Sequence, residues 1–300
     1  MTVKRIWIDG ELVGWDEATV HVTSFGLHYG IGFFEGIRCH STPDGPAIFR
    51  LTDHLRRLQR SAAIYGFDLP CPVQELAQAC KLVVHANGLT DCYLRPLVFL
   101  GDGANPFATR LRSAVIATAG GPLTGPPKQD GVRARISSFQ RMSPNSIPSA
   151  AKATGQYLNS FMAQSEALSC GYDEAIMLND RGLVADGWAH NVFIVVGGVL
   201  VTPPVGAGGL PGITRETIMT LAADAALEVR VQDLVRSDLY LAGECFLTGT
   251  AAGIVPVLSV DGRDIGDDKP GPVTLSLRDR LTQIAHGVVD AYPQWREYVG

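Results

Sequence analysis

Apolar and polar positions alternate along Arg5-Ile6-Trp7-Ile8-Asp9-Gly10-Glu11-Leu12-Val13, which reads as two short strands about an Asp-Gly turn. A second hairpin is predicted from Glu35–Cys39 to Ala47–Arg50, turned by Pro43-Asp44-Gly45. The period then changes. His54, Leu55, Leu58, Ala62 and Tyr65 fall on one face of a helix that Thr52 is placed to cap. A second helix runs from Val73 to His85 and stops at Asn87-Gly88. Strands are expected at Cys92–Leu100 and Ser113–Ala119, completing a first α+β domain over 1–119. Gly120-Gly121-Pro122-Leu123-Thr124-Gly125-Pro126-Pro127 breaks the pattern and reads as linker, set at 120–128. In 129–300, strands are expected at Val132–Ser137, Glu174–Leu178, Asn191–Val196, Val229–Val231, Glu244–Leu247 and Ile254–Val260. Helices are expected behind Lys152 to about Cys170, from Pro211 through Leu227, and from Pro272 to Gly287. No repeat of fixed period is visible.

Composition narrows the class. The chain has 300 residues, enough for two cores, with 46% hydrophobic and 18% charged residues, the balance of a globular enzyme. A net charge of −5 and the absence of any basic cluster give no footprint for nucleic acid or an acidic membrane. No apolar run is long enough to span a bilayer and the first residues carry no signal-peptide pattern, so a cytoplasmic location is expected. The six cysteines are scattered without a C-x-x-C pair, which argues against a metal site or a disulfide framework. Most are expected to be small buried hydrophobes.

Four features carry candidate chemistry. Lys152 stands in Ser149-Ala150-Ala151-Lys152-Ala153-Thr154-Gly155, among small residues and with no acid beside it. Desolvation there would favour the neutral amine, a Schiff-base nucleophile; a plain lysine at a helix start is the other reading. Gly212-Ile213-Thr214 at a helix start, and Gly249-Thr250-Ala251-Ala252-Gly253 after a strand, offer amides and hydroxyls to an anion, or serve only as a cap and a turn. Asp186, on a glycine-flanked loop, either forms a turn or holds a ring nitrogen protonated. Arg95, mid-strand among apolar residues, needs a carboxylate partner from the protein or from a substrate.

Taken in order, His28-Tyr29-Gly30, Phe34-Glu35-Gly36-Ile37-Arg38, Tyr93-Leu94-Arg95-Pro96, the Lys152 stretch, Leu210-Pro211-Gly212-Ile213-Thr214-Arg215 and Gly249-Thr250-Ala251-Ala252 resemble the branched-chain aminotransferases of the fold type IV pyridoxal-phosphate enzymes. The likeness covers nearly the whole chain. It implies a two-domain α+β and α/β fold, like that of D-amino acid aminotransferase, with pyridoxal 5'-phosphate in the cleft between the domains. It implies that Lys152 carries the Schiff base and shuttles the proton. Arg57, Ile213, Thr214 and Thr250 would cradle the phosphate, Tyr157 would bond the phenolic oxygen, and Asp186 would face the pyridine nitrogen. The turn Thr250-Ala251-Ala252 would take the substrate α-carboxylate. Phe34, Tyr29 and Tyr93 would wall an apolar pocket in which Arg95 and Tyr29 also receive the second carboxylate of glutamate. The implied partners are amino acids, 2-oxo acids and a second copy of the chain, with the Gly101–Phe107 loop reaching the partner's pocket.

The chain departs from that pattern in three places. Asp186 replaces the family's glutamate and is one methylene shorter; a misplacement near 1 Å would cost on the order of 100-fold in rate. Trp188 stands where the family keeps a small residue and would narrow the site or press on the cofactor, and His190 beside it is unusual. Thr118–Pro122 lacks pocket aromatics, and the Gly101–Phe107 loop is short. The leading reading is transfer of an amino group between a branched-chain or similar apolar L-amino acid and 2-oxoglutarate. The alternative keeps the cofactor with altered substrate or altered Cα chemistry, and a third is a non-catalytic binding protein on the same scaffold.

Overall fold

The structure, a computed structural model, describes residues 3–120, 128 and 130–300. The predicted linker therefore lies outside the described residues except at Gly120 and Lys128. The chain divides into two units. The first comprises the described residues of Met1–Pro126 together with Ala151–Gly155 and Gln283–Gly300. The second comprises those of Pro127–Ala150 and Gln156–Thr282.

The first unit is built on an eight-stranded sheet whose strands pair antiparallel throughout. Its longest pair, Cys92–Leu100 with Leu111–Ala119, runs in continuous register from Cys92↔Ala119 to Leu100↔Leu111. The two predicted hairpins form at Arg5–Ile8 with Glu11–Gly14 and at Ile37–Thr42 with Gly45–Phe49. Helices Leu51–Ile64 and Val73–Ala86 close the core, burying Leu51, Leu55, Leu58 and Ala62 from one and Leu76, Val83 and Val84 from the other. Each fully buried leucine or valine contributes about 1.5–3 kcal/mol, so this helix pair is a large part of the unit's cohesion.

Thr52 is not the cap of the first helix. Arg50, with φ 54°, occupies the N-cap, and the carboxylate of Glu297 takes the Thr52 N–H at 2.7 Å and its hydroxyl at 3.1 Å. A carboxylate satisfies a helix-start amide more strongly than a neutral hydroxyl. Glu297 belongs to a short strand, Arg296–Tyr298, paired to Phe49, Ile48 and Ala47.

The Lys152 segment, Ala151–Gly155, belongs to the first unit and bridges Phe33 at Ala153, and the helix behind it begins only at Tyr157. Phe34 N–H donates to Lys152 O at 3.1 Å, Thr154 N–H to Gly32 O at 2.8 Å, and Gly155 N–H to Gly30 O at 3.1 Å. The close approach depends on glycine on both sides, since a Cβ on Gly30 would lie 3.0 Å from Gly155 Cα.

The second unit is built on a nine-stranded mixed sheet, with Val132–Ile136 parallel to both Glu174–Leu178 and Gly253–Val260. Three strands escape the sequence pattern: Val184–Gly187, Val199–Thr202 and Arg263–Asp264. The first corrects the placement of Asp186, which sits in a strand opposite Met177 rather than on a loop. Among the described residues, no helix is long and apolar enough to cross a membrane.

All six cysteines are unpaired. Burial pushes the Cys71 thiol up to about 11 and the Cys245 thiol to about 12, and drives Cys80 higher still. A hydrogen bond with Cys92, followed by burial, raises Cys39 likewise. These thiols pack as small hydrophobes and are poor nucleophiles.

Candidate active site

In the first unit, Lys152 is anchored through its backbone. Its N–H donates to Ser61 Oγ at 2.9 Å, and that hydroxyl donates to Arg57 O at 2.9 Å. Its ammonium lies 5.0 Å from the Phe34 ring centroid. Arg57, which the family resemblance places at a phosphate, is engaged by Glu35 in a bidentate pair, Nε to Oε1 and Nη2 to Oε2, both at 2.7 Å. His54 Nδ1–H donates to the same Oε2 at 2.8 Å; the carboxylate only accepts, which fixes that tautomer.

Burial alone would raise the Glu35 pKa, but the charge and hydrogen bonds of Arg57, then of His54, hold it far below the usual carboxylate range. Burial lowers His54, only partly offset by Glu35. The pair therefore fixes Arg57 as a cation beside a neutral imidazole. The sequence assigns no role to Glu35, and its periodicity places His54 simply on a helix face.

The titration of these groups sets a sign for acid stability. His54 and His40, the latter pushed down to about 3 chiefly by burial, bind protons more weakly in the folded state than in the unfolded chain. The unfolded state thus takes up protons first as pH falls below about 6.5, and Glu35 adds loss below about 4.3. Urea-unfolding stability is expected to fall below about pH 6.5 with a slope of up to about 1.4 kcal/mol per pH unit for each histidine engaged. A flat profile between about pH 7 and pH 4 would contradict it.

Phe34, Tyr93 and Arg95 form one group. The Arg95 guanidinium lies 4.5 Å from the Phe34 ring centroid and 5.4 Å from that of Tyr93, and its Nη2 donates to the Tyr93 hydroxyl at 3.3 Å. Its Nε is buried without a partner, and no carboxylate of the described residues pairs with it. Gly36 makes the arrangement possible, because a Cβ there would overlap the Tyr93 hydroxyl. Tyr29 stands apart at 64% exposure, stacked on Phe25.

In the second unit, Asp186 is 3% exposed and pairs with Arg141, Nη2 to Oδ2 at 3.2 Å. Arg141 is itself buried, donating Nη1 to Ser160 Oγ at 2.8 Å and Nε to Gly208 O at 3.4 Å. Nothing local in Ser138-Phe139-Gln140-Arg141 announces this role. Trp188 packs against the small apolar cluster of Ala163, Ala167, Ala175 and Met177, and its backbone N–H donates to Ala175 O at 3.1 Å.

The anion-binding features also take shape here. Helix Ile213–Asp224 begins at Gly212, which has no side chain to cap it, and a Cβ on Gly212 would overlap Asn191 Oδ1. Asn191 ties down the approach by donating Nδ2–H to Leu210 O at 2.9 Å. Thr214 and Thr250 bring their hydroxyls within 3.4 Å of each other, so the helix start meets the Gly249–Gly253 turn. Tyr157 is the first residue of its helix, Ile213 is buried, and Thr250, Ala251 and Ala252 are half-buried in the turn. Two hydroxyls at a helix N-terminus suit a phosphate, and a buried carboxylate braced by an arginine suits a protonated ring nitrogen. The residues therefore fit a phosphorylated pyridine.

A mixed-sheet unit carrying an uncapped helix start, a hydroxyl turn and a braced buried acid, in a chain with a backbone-anchored lysine, defines a class of enzyme. The family described as amino-transferase class IV matches residues 32–260, and the chain belongs to that family. The branched-chain-amino-acid aminotransferase of Escherichia coli strain K12 is 44% identical over 307 residues, covering 100% of this chain and 99% of that one. The solved Escherichia coli branched-chain amino acid aminotransferase superposes with a TM-score of 0.96 at 42% identity, covering all of both chains. The branched-chain amino acid aminotransferase of Thermobaculum terrenum, solved in its PLP-form, gives 0.91 at 34% identity, covering 99% of this chain and 98% of that one.

Proposed function

We infer that this chain is a branched-chain-amino-acid aminotransferase, moving an amino group between leucine, isoleucine or valine and 2-oxoglutarate with pyridoxal 5'-phosphate. The observation that carries the reading is the Arg95 group: a guanidinium set on the rings of Phe34 and Tyr93, bonded to a phenol and to no carboxylate of the described residues. An apolar wall with one such cation accepts an aliphatic side chain, and it accepts the second carboxylate of glutamate in the alternate half-reaction. Identity of 44% along the full chain supports the same reading, and altered Cα chemistry is not favoured.

When bound, the cofactor supplies an aldehyde that condenses with amines and a ring that withdraws electrons from the substrate Cα. Each residue's part follows from its surroundings. Lys152 would hold the cofactor, and its amine would take up the proton released from the substrate Cα. Its backbone anchors on Ser61 and Phe34 fix the reach of its amine. Arg57, Ile213, Thr214 and Thr250 receive the phosphate, with Glu35 and His54 orienting Arg57. Tyr157 bonds the phenolic oxygen. Asp186, kept in place by Arg141, holds the ring nitrogen protonated. Amides of the Thr250-Ala251-Ala252 turn take the α-carboxylate, and Phe34, Tyr93 and Arg95 choose the side chain.

The enzyme acts in the cytoplasm as a homodimer. Leu158, Phe161 and Met162 are exposed along one face of helix Tyr157–Ser169, and Phe107, in the Gly101–Phe107 loop, is 97% exposed. Apolar surface of this kind supports a covered face.

The test is a pair of half-reactions. Enzyme purified with pyridoxal phosphate should change its cofactor absorbance on adding L-leucine and, separately, L-glutamate, and 2-oxoglutarate should reverse both. Cofactor that binds but responds to neither amino acid would overturn the assigned substrates.

A further inference from the structure

His190 is not used by the chemistry above, yet its setting is specific. Its side chain is nine-tenths buried, and its Nδ1 has no hydrogen-bond partner among the described residues. Facing it at 3.6 Å is Glu174 Oε2, also buried and without a hydrogen bond. Neighbouring acids are already engaged, Asp173 by Lys128 and Arg133, and Asp186 by Arg141. A carboxylate oxygen and a ring nitrogen buried face to face are costly unless a proton joins them, and with a proton they make a charge-assisted bond. At 3.6 Å the two atoms stand at ion-pair distance.

The opposite edge of the ring meets the Gly249–Gly253 turn. A Cβ on Gly249 would lie 2.9 Å from His190 Cδ2 and 3.6 Å from its Nε2, so the imidazole occupies the space a side chain would take. Trp188 stands edge-on to the ring, with centroids 6.2 Å apart at 83°. The imidazole is thus bounded by an acid at Nδ1, an indole on its flank and, beside Nε2, the glycine that opens the Thr250-Ala251-Ala252 turn.

We propose that His190, held by Glu174 through Nδ1, presents Nε2–H beside this turn as an added donor for the substrate α-carboxylate. The proposal rests on reading the turn as the α-carboxylate site. For Nδ1–H to face Glu174 while Nε2–H meets the substrate, each ring nitrogen carries a proton. Glu174 is then a positioning residue, acting on substrate only through the imidazole.

Binding, rather than turnover, tests this, so failure of the transaminase reading would appear separately in the half-reactions. The holoenzyme is titrated calorimetrically with 4-methylvaleric acid, the leucine skeleton without its amino group, and with the matching primary amide. In His190→Asn the side-chain amide stops short of the Nε2 position, and affinity for the acid is expected to fall about tenfold, the scale of one hydrogen bond to a charged group. His190→Gln, whose amide reaches that position, should stay within about threefold of the unaltered enzyme. Glu174→Gln should follow the asparagine variant, and amide affinity should be the same in all. Equal affinity for the acid in the Asn variant and the unaltered enzyme overturns the proposal. So does a loss shared equally by acid and amide, which would assign His190 to packing alone.

Discussion

Lys152→Ala is expected to lose transamination by at least about 10²–10⁴-fold from proton transfer alone, with the covalent hold on the cofactor lost in addition. The fold should survive, because the bonds that place this segment are made by the main chain: Lys152 N–H to Ser61, and Lys152 O from Phe34. An alanine side chain suits a run already flanked by the buried Ala151 and Ala153. The melting temperature should therefore stay near that of the unaltered protein while the leucine half-reaction stops. Since the deleted side chain leaves a space beside Phe34, a small primary amine in the buffer should restore part of the proton transfer. A variant that retained the half-reaction within about tenfold would remove Lys152 from the chemistry.

Much of this site is readable in the chain because its elements are local. The small residues around Lys152, the glycine before the Ile213 helix and the Gly249–Gly253 turn each announce themselves within a few positions. Strands such as Cys92–Leu100 and Glu174–Leu178 are legible for the same reason, as short runs of apolar residues. What escapes depends on distant partners. The acid that caps the first long helix lies 245 residues from Thr52, which leaves Thr52 as the nearest candidate for its task. Arg141 and Asp186 are 45 residues apart, and neither flank betrays the pair.

Asp186 reads as a loop residue because Gly182 and Gly187 resemble turn formers, whereas the bend at Gly182 ends before Val184 and the strand continues to Gly187. Trp188 stands out along the chain as a large residue among small ones, and in the fold its indole packs on an apolar cluster of Ala163, Ala167, Ala175 and Met177. Which residues pack against a large side chain is not legible along the chain. Glu35 is the same lesson in charge: within Phe34-Glu35-Gly36 an isolated acid looks unsupported, and Arg57 and His54, its partners, come from the following helix.

The second large effect is expected at Arg141. In Arg141→Met the carboxylate of Asp186 stays buried after losing its guanidinium, and breaking one side of such a pair costs about 3–5 kcal/mol. Lysine should not rescue it. Arg141 directs separate N–H groups to Asp186, Ser160 and the Gly208 carbonyl, a fork that one ammonium cannot reproduce. Adding Asp186→Asn to Arg141→Met removes the stranded charge, so urea-unfolding stability should recover in the double variant by more than the two single changes predict. The half-reaction should not recover, because the ring nitrogen still lacks an ionised acid. That split between stability and activity is the decisive reading. If the double variant regained both, the pair would be a structural brace only, and the family glutamate would have been replaced here without a catalytic successor at Asp186.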